Sequence, residues 1–162
     1  MKLVFIQIGG TIDKEYPRST KGYAFEIGEP AVKRILEKVN PTFEYEIINL
    51  LKKDSLDLLE DDRKKILETC KRISCDKIII THGTDTMIET ARELGDIKNK
   101  TVVITGSMRP EKFSDSDAMF NVGAAIIAVQ TLSPGVYITM NGQVYSWDKV
   151  QRNTETGQFV GK

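Results

Sequence analysis

The chain has 162 residues, 40% hydrophobic and 28% charged, with 23 basic against 23 acidic side chains and a formal net charge of zero. That length supports one domain with its own core and is short for two, so residues 1–162 are read as a single domain. The charge balance offers no electrostatic pull toward nucleic acid or an anionic membrane, which leaves a small molecule as the default partner.

In chain order, Leu3 to Ile8 predicts a buried strand that Gly9-Gly10 ends. Glu29 to Val39 predicts a helix, because Pro30 suits a first turn and Val32, Ile35, Leu36 and Val39 fall on one stripe. From Phe43 to Leu50, alternation of Phe43, Tyr45 and Ile47 with Glu44 and Glu46 predicts a strand. Asp61 to Ile73 predicts a helix with acidic residues in its first turn and Lys71-Arg72 in its last, as the macrodipole favours. Lys77 to Thr81 predicts a strand, and Asp85 to Leu94 a helix stopped by Gly95. Thr101 to Thr105 is the next strand, Asp117 to Leu132 a long apolar helix, and Val136 to Met140 the fifth strand. From Asn141 onward polar and aromatic residues alternate, as in a hairpin or loop.

Strands that are apolar throughout and alternate with helices predict an α/β fold. The expected architecture is a single doubly wound, mostly parallel sheet with helices on both faces and right-handed crossovers. Ligands in such sheets sit beyond the carboxyl ends of the strands. No apolar run reaches the length of a membrane span, and no cleavage site separates the first strand from Gly9-Gly10-Thr11, so the cytoplasm is the expected compartment. Cys70 and Cys75 are expected to be reduced packing thiols. With His82 the sole histidine, a multi-histidine zinc site is excluded; neither metal nor cofactor is expected.

Three strand ends carry polar clusters. In Gly9-Gly10-Thr11-Ile12-Asp13, the glycines let the backbone turn tightly and expose its N–H groups while Thr11 offers a hydroxyl. A purely conformational turn explains those glycines equally well. Thr81-His82-Gly83-Thr84-Asp85-Thr86 packs hydroxyls and carboxylates into six residues, although Thr84 or Asp85 could simply cap the next helix. Thr105-Gly106-Ser107-Met108-Arg109-Pro110 is the third cluster, and the Ser114-Asp115-Ser116-Asp117 run after it is read mainly as caps for the long helix.

Gly9-Gly10-Thr11-Ile12 together with His82-Gly83-Thr84-Asp85-Thr86 resembles the two signatures of bacterial-type L-asparaginases. Asp54-Ser55 with Asp57, Gly106-Ser107-Met108-Arg109-Pro110, and Asp117 with Phe120-Asn121 match that family in order and rough spacing. The resemblance is to the family's N-terminal domain alone, as in short-chain asparaginases. It implies an amidohydrolase that converts L-asparagine to L-aspartate and ammonia without a cofactor. Thr11 matches the nucleophile, which forms a β-aspartyl ester, and a tyrosine of the same loop assists it; Tyr16 is favoured over Tyr23. Thr84, Asp85 and a lysine resemble a second triad. Ser55 matches the residue that binds the substrate's α-carboxylate, and Asp85 also holds the α-ammonium. Gly10, Asp54, Gly83 and Thr84 complete the expected binding set.

Arg152 falls where the family has its lysine, and a guanidinium does not give up its proton; Lys149, three residues earlier, is therefore the expected base. Leu56 stands where some members have glutamine. The resemblance further implies that a neighbouring subunit completes each site, so a homodimer or higher homo-oligomer is expected. Other readings stay open: a different small amide such as glutamine, or a non-catalytic domain that binds asparagine or aspartate. A nucleotide-binding Rossmann domain fits poorly, because Gly9-Gly10-Thr11 lacks the spaced three-glycine fingerprint.

Overall fold

A computed structural model describes residues 1–17, 24–95 and 97–162. In chain order the strands are β1 (Lys2–Gly9), the short β2 (Lys14–Glu15) and β3 (Glu26–Ile27), β4 (Glu44–Lys53), β5 (Lys77–Thr81), β6 (Thr101–Thr105), β7 (Gly135–Met140), β8 (Gln143–Ser146), β9 (Val150–Arg152) and β10 (Phe159–Gly161). The helices are α1 (Ala31–Val39), α2 (Glu60–Arg72), α3 (Met87–Glu93) and α4 (Ala118–Thr131). Among the described residues six strands form the main sheet in the order β4-β1-β5-β6-β7-β8, parallel except for β8. This is the expected mostly parallel α/β sheet.

Strand β1 lies between β4 and β5 and is covered on both faces. Its Leu3 and Phe5 meet the helices α1 and α4, while Val4, Ile6 and Ile8 meet α2 and α3. Burial on two sides is why its sequence reads as an unbroken apolar run. At the sheet's edge, β4 exposes Glu44, Glu46, Asn49 and Lys52, charges and amides that discourage pairing with a further strand.

The crossovers do not all have one hand. From β1 the chain moves to β4 through α1 on one face; from β4 to β5, and from β5 to β6, it moves the other way through α2 and α3 on the opposite face. Those three units share a hand. The β6–α4–β7 unit continues in the same direction along the sheet, yet α4 packs beside α1. It therefore winds with the opposite hand, and the expectation of uniformly right-handed crossovers is corrected.

The tail folds as the hairpins that its alternation predicts. β8 turns back onto β7 and extends the main sheet as an antiparallel edge, and β9 pairs with β10 as a separate hairpin. The segments on either side of residues 18–23 pair as β2 and β3, too short to show as a periodicity.

Caps depend on distant residues as much as on local ones. Helix α1 begins after Pro30, and its Ala31 N–H is taken at 2.7 Å by the carboxylate of Asp13 from the loop after β1. At α4, Ser116 Oγ accepts from Ala118 N, as the capping reading expects. Asp117 instead accepts from Met108 N and Arg109 N and from Asn121 Nδ2, bracing the loop after β6. Buried Asn121 completes the brace: its Nδ2 donates to Gly106 O at 3.0 Å, and its Oδ1 accepts from Asn141 N at 3.3 Å. One side chain thus ties the carboxyl ends of β6 and β7. No helix among the described residues is long and apolar enough to cross a membrane.

Asn121→Ala leaves those backbone groups without their partner. It is expected to lower stability by about 2–3 kcal/mol, measured as a shift in the urea midpoint; a change below about 0.5 kcal/mol would show that water replaces the amide without loss.

Candidate active site

The chain leaves β1 for β4 in one direction, and β5 lies on the other side of β1. The carboxyl ends of β1 and β5 therefore flank the sheet's topological switch point, where open α/β sheets form their ligand crevice. Three loops meet there. Gly9 and Gly10 have φ of 123° and 82°, a region open to glycine, and Gly10 N donates to Lys53 O at the end of β4. A methyl carbon on Gly10 would lie 2.2 Å from Gly83 Cα, and one on Gly83 would lie 2.6 Å from Ser55 Oγ. The backbones after β1 and β5 are thus in direct contact, Gly83 also packs on the Ser55 side chain after β4, and only hydrogen at Cα allows it. A methyl on Gly106 would lie 2.3 Å from His82 O, so the loop after β6 closes on the same cluster.

This packing carries Thr11 and Thr84 on adjoining loops, each one residue beyond a touching glycine. Thr11 opens a single helical turn, Thr11–Asp13, and is half-buried; Thr84 is buried. Neither Thr84 nor Asp85 caps α3, whose first residue is Met87 and whose N-cap Thr86 makes no side-chain cap bond. Thr86 Oγ1 donates across to Ser55 O at 2.7 Å, locking the loop after β5 to the loop after β4. The capping explanation of this motif is set aside by that geometry. Ser55 is buried, and its hydroxyl finds no partner among the described residues.

His82 is fully buried. Its Nδ1 lies 2.7 Å from Gly83 O, which can only accept, so Nδ1 carries the proton and Nε2 accepts from Thr90 Oγ1 at 2.8 Å. Burial pushes its pKa down to about 4, outweighing the Gly83 hydrogen bond. A neutral imidazole engaged at both nitrogens holds the loop's shape and has no free nitrogen with which to act as a base. Asp13 is buried too, and burial pushes it up to about 6 against the hydrogen bond from Ala31.

Of the remaining expected residues, Asp85 is accessible and is paired by Arg152, whose Nη1 lies 2.9 Å from Asp85 Oδ1. Arg152 is held in turn by Gly157 O at 2.9 Å and by the ring of Phe159 at 5.7 Å. The tail delivers Arg152 to Asp85 and leaves Lys149 aside. Arg152 shares the inner face of β9 with buried Val150, whereas Lys149 ends an exposed turn just before the strand. Among the described residues the Lys149 ammonium has no carboxylate within 4 Å. Asp54 is engaged by Lys14 at 2.5 Å and by Leu56 N; burial raises its pKa, but these bonds outweigh burial and hold it below the usual range. Sequence reading missed Lys14, whose charge carries no sign that it reaches Asp54. Tyr16 is exposed, packs at a tilt against Phe25 at 5.1 Å, and makes no hydrogen bond with Thr11; Tyr23 lies outside the described residues.

A cavity of about 410 Å³ lies away from this cluster, between α1 and the loop after β6. Among the described residues no group of three or more His, Cys, Asp and Glu is placed to hold a metal ion.

A family model described as "Asparaginase, N-terminal" matches residues 2–158. The glutaminase-asparaginase of Acinetobacter glutaminasificans is 26% identical over 174 residues, which cover 99% of this chain and 53% of that protein. L-asparaginase 2 of Escherichia coli is 30% identical over 166 residues, 95% of this chain and 47% of that protein. Among solved structures, the thermostable L-asparaginase from Thermococcus kodakarensis superposes with a TM-score of 0.86 at 26% identity, covering 99% of this chain and 51% of that one. The chain spans about half the length of the curated relatives it matches.

The buried histidine has a consequence for acid stability. Between pH 6.5 and about 4 the unfolded chain binds a proton at His82 that the folded chain refuses, so this group's stability is complete above 6.5 and is lost as pH falls toward 4. The loss is on the order of 3 kcal/mol. Asp13 works in the opposite direction over a similar range, so the effect is read as the difference between wild type and His82→Gln. The stability gap between them is expected to narrow by that amount from pH 7 to pH 4 in urea titrations; a gap independent of pH would mean that His82 titrates in the fold as it does in the unfolded chain.

Proposed function

Because this chain belongs to the asparaginase family, matching its N-terminal domain, we propose that it hydrolyses the side-chain amide of L-asparagine to L-aspartate and ammonia with Thr11 as nucleophile. The observation that carries the reading is the glycine contact of the Thr11 and Thr84 loops at the switch point, with the orphaned Ser55 hydroxyl beneath it. In the first step Thr11 Oγ1 bonds to the amide carbon, the C–N bond breaks, and nitrogen leaves as ammonia with the hydroxyl proton. Water then cleaves the ester and restores the threonine. Backbone N–H groups of the two loops, at Thr84 and Thr11, are the donors for the transient oxyanion, since Gly10 N is already given to Lys53 O. Asp54, Ser55 and Asp85 surround the zwitterionic end, with Asp85 for the ammonium and Ser55 for the carboxylate. Tyr16, on the exposed limb of the Thr11 loop, is the assisting tyrosine in this reading.

The expected lysine relay through Lys149 has no geometric support, whereas Arg152 does occupy the Asp85 carboxylate. A guanidinium stays charged throughout, so Arg152 orients Asp85 and does not accept a proton. The relative named glutaminase-asparaginase keeps glutamine as the second substrate to test. A homo-oligomer is supported by Phe120 and Ile127, which stand 64% and 62% exposed on α4, a helix without a single charged side chain. A cytoplasmic setting is supported by Cys70 and Cys75, both free thiols.

Ammonia release from a panel of asparagine, glutamine and simple amides tests the reading; release from none of them leaves a binding domain. Thr11→Ala and Thr84→Val are each expected to lose at least about a thousandfold in rate with folding intact, and retention of more than about a tenth would remove that residue from the chemistry. Arg152→Met is expected to lower kcat/KM by about tenfold or more, while Lys149→Met stays within about twofold. The reverse pattern would restore Lys149 as the base.

A further inference from the structure

The loop after β6 continues into Glu111-Lys112-Phe113, a segment to which the reaction above gives no role. It touches the Thr11 loop at three points. Glu111 N donates to Ile12 O at 3.1 Å, Lys112 pairs with Glu15 on β2, and the Phe113 ring meets Phe25 at 5.9 Å, which in turn meets Tyr16. Glu111 itself is held from the other side. Its side chain is 4% exposed, with Arg34 Nε at 2.6 Å and Lys38 Nζ at 3.2 Å, both on α1. Burial raises its pKa, but the two cations more than offset that and keep it ionised. The same α1 begins on the Asp13 carboxylate, two residues beyond Thr11.

We infer that Glu111 is a positioning residue for Thr11: by bridging Arg34 and Lys38 it fixes the main chain that holds Ile12 and so sets where the nucleophile stands. Thr11 and Ile12 are consecutive, so a displacement of Glu111 N is passed to the hydroxyl through one peptide unit. Of the residues assigned to the substrate's charged end, Ser55 and Asp85 lie on other loops and make none of these contacts, and Asp54 meets the Thr11 loop only through Lys14. Losing the bridge therefore acts on the chemical step and spares substrate binding. The role rests on the asparaginase reading for its kinetic consequence but not for its structural one.

The test is Glu111→Ala. Displacement of a reacting group by about an ångström costs on the order of a hundredfold, so kcat for asparagine is expected to fall by at least about tenfold while KM stays within about threefold. Formate or acetate should recover part of the rate, because the cavity of about 410 Å³ beside Arg34 and Lys38 admits a small carboxylate in place of the missing one. Hydrogen exchange at residues 12–16 should quicken in the variant and slow again with formate. That measurement needs no substrate, so it decides the inference even if wild type releases no ammonia, an outcome that counts against the function alone. Unchanged exchange at 12–16, or a lower kcat that no carboxylate recovers, overturns the assignment. Should Glu111→Ala fail to fold, Lys38→Met removes the more exposed half of the bridge, and the same loss of protection is required of it.

Discussion

Three loops approach one another at the switch point more closely than a side chain on either glycine would allow. Gly10 lies against Gly83, and Gly83 against Ser55, at distances that leave room only for hydrogen. The rest of the site follows from that contact. It places two hydroxyl-bearing residues on neighbouring turns and seals His82 beneath the surface with both ring nitrogens engaged. The left-handed backbone at Gly9 and Gly10 is what lets β1 end against Lys53 while its next residue faces another loop. A rigid sheet of buried isoleucine and valine holds the ends in register, so the loops have little freedom to part.

Charge is arranged around this contact in two different ways. Within it, His82 is neutral, so the point where the loops meet carries no formal charge of its own. At its rim, carboxylates stand beside cations: Asp54 with Lys14, Asp85 with Arg152, Glu15 with Lys112. The accessible Asp85 carboxylate is shared with a guanidinium, which orients it but leaves its outer lone pairs open. Arginine fills that duty because its planar group is gripped by Phe159 and Gly157 at once.

Much of the fold could be read from the sequence because two-sided burial leaves a strong signature. β5 and β6 have the bounds that their apolar runs predict, and the helices α1 and α2 differ from expectation by two residues or fewer at either end. The face chosen by α4 was not legible. With no charged residue along its length, it has no polar stripe to say which side meets solvent, and the usual rule for hand then points the wrong way. Local rules also misled at Thr84 and Asp85, where a cap was a fair reading but tertiary contact claimed Thr86 instead. In the tail, chemistry favoured Lys149 over Arg152, and nothing in the sequence showed that pairing with β10 would bring Arg152 to Asp85 instead. Lys14 and Glu111 gave no sign at all, since an isolated charge in a loop says nothing of the partner it will find.

The reversed hand of the β6–α4–β7 unit decides which parts of the molecule can be neighbours. Had α4 packed beside α2 and α3, the loop after β6 would have left on their face, with the whole sheet between Glu111 and the cations of α1. Winding the other way sends that loop across the front of α1 and under Ile12. An uncommon topology is thus the geometric precondition for the brace on the Thr11 turn. A redesign that straightened the winding while keeping every strand and helix would preserve the architecture and disconnect the loop that carries Thr11.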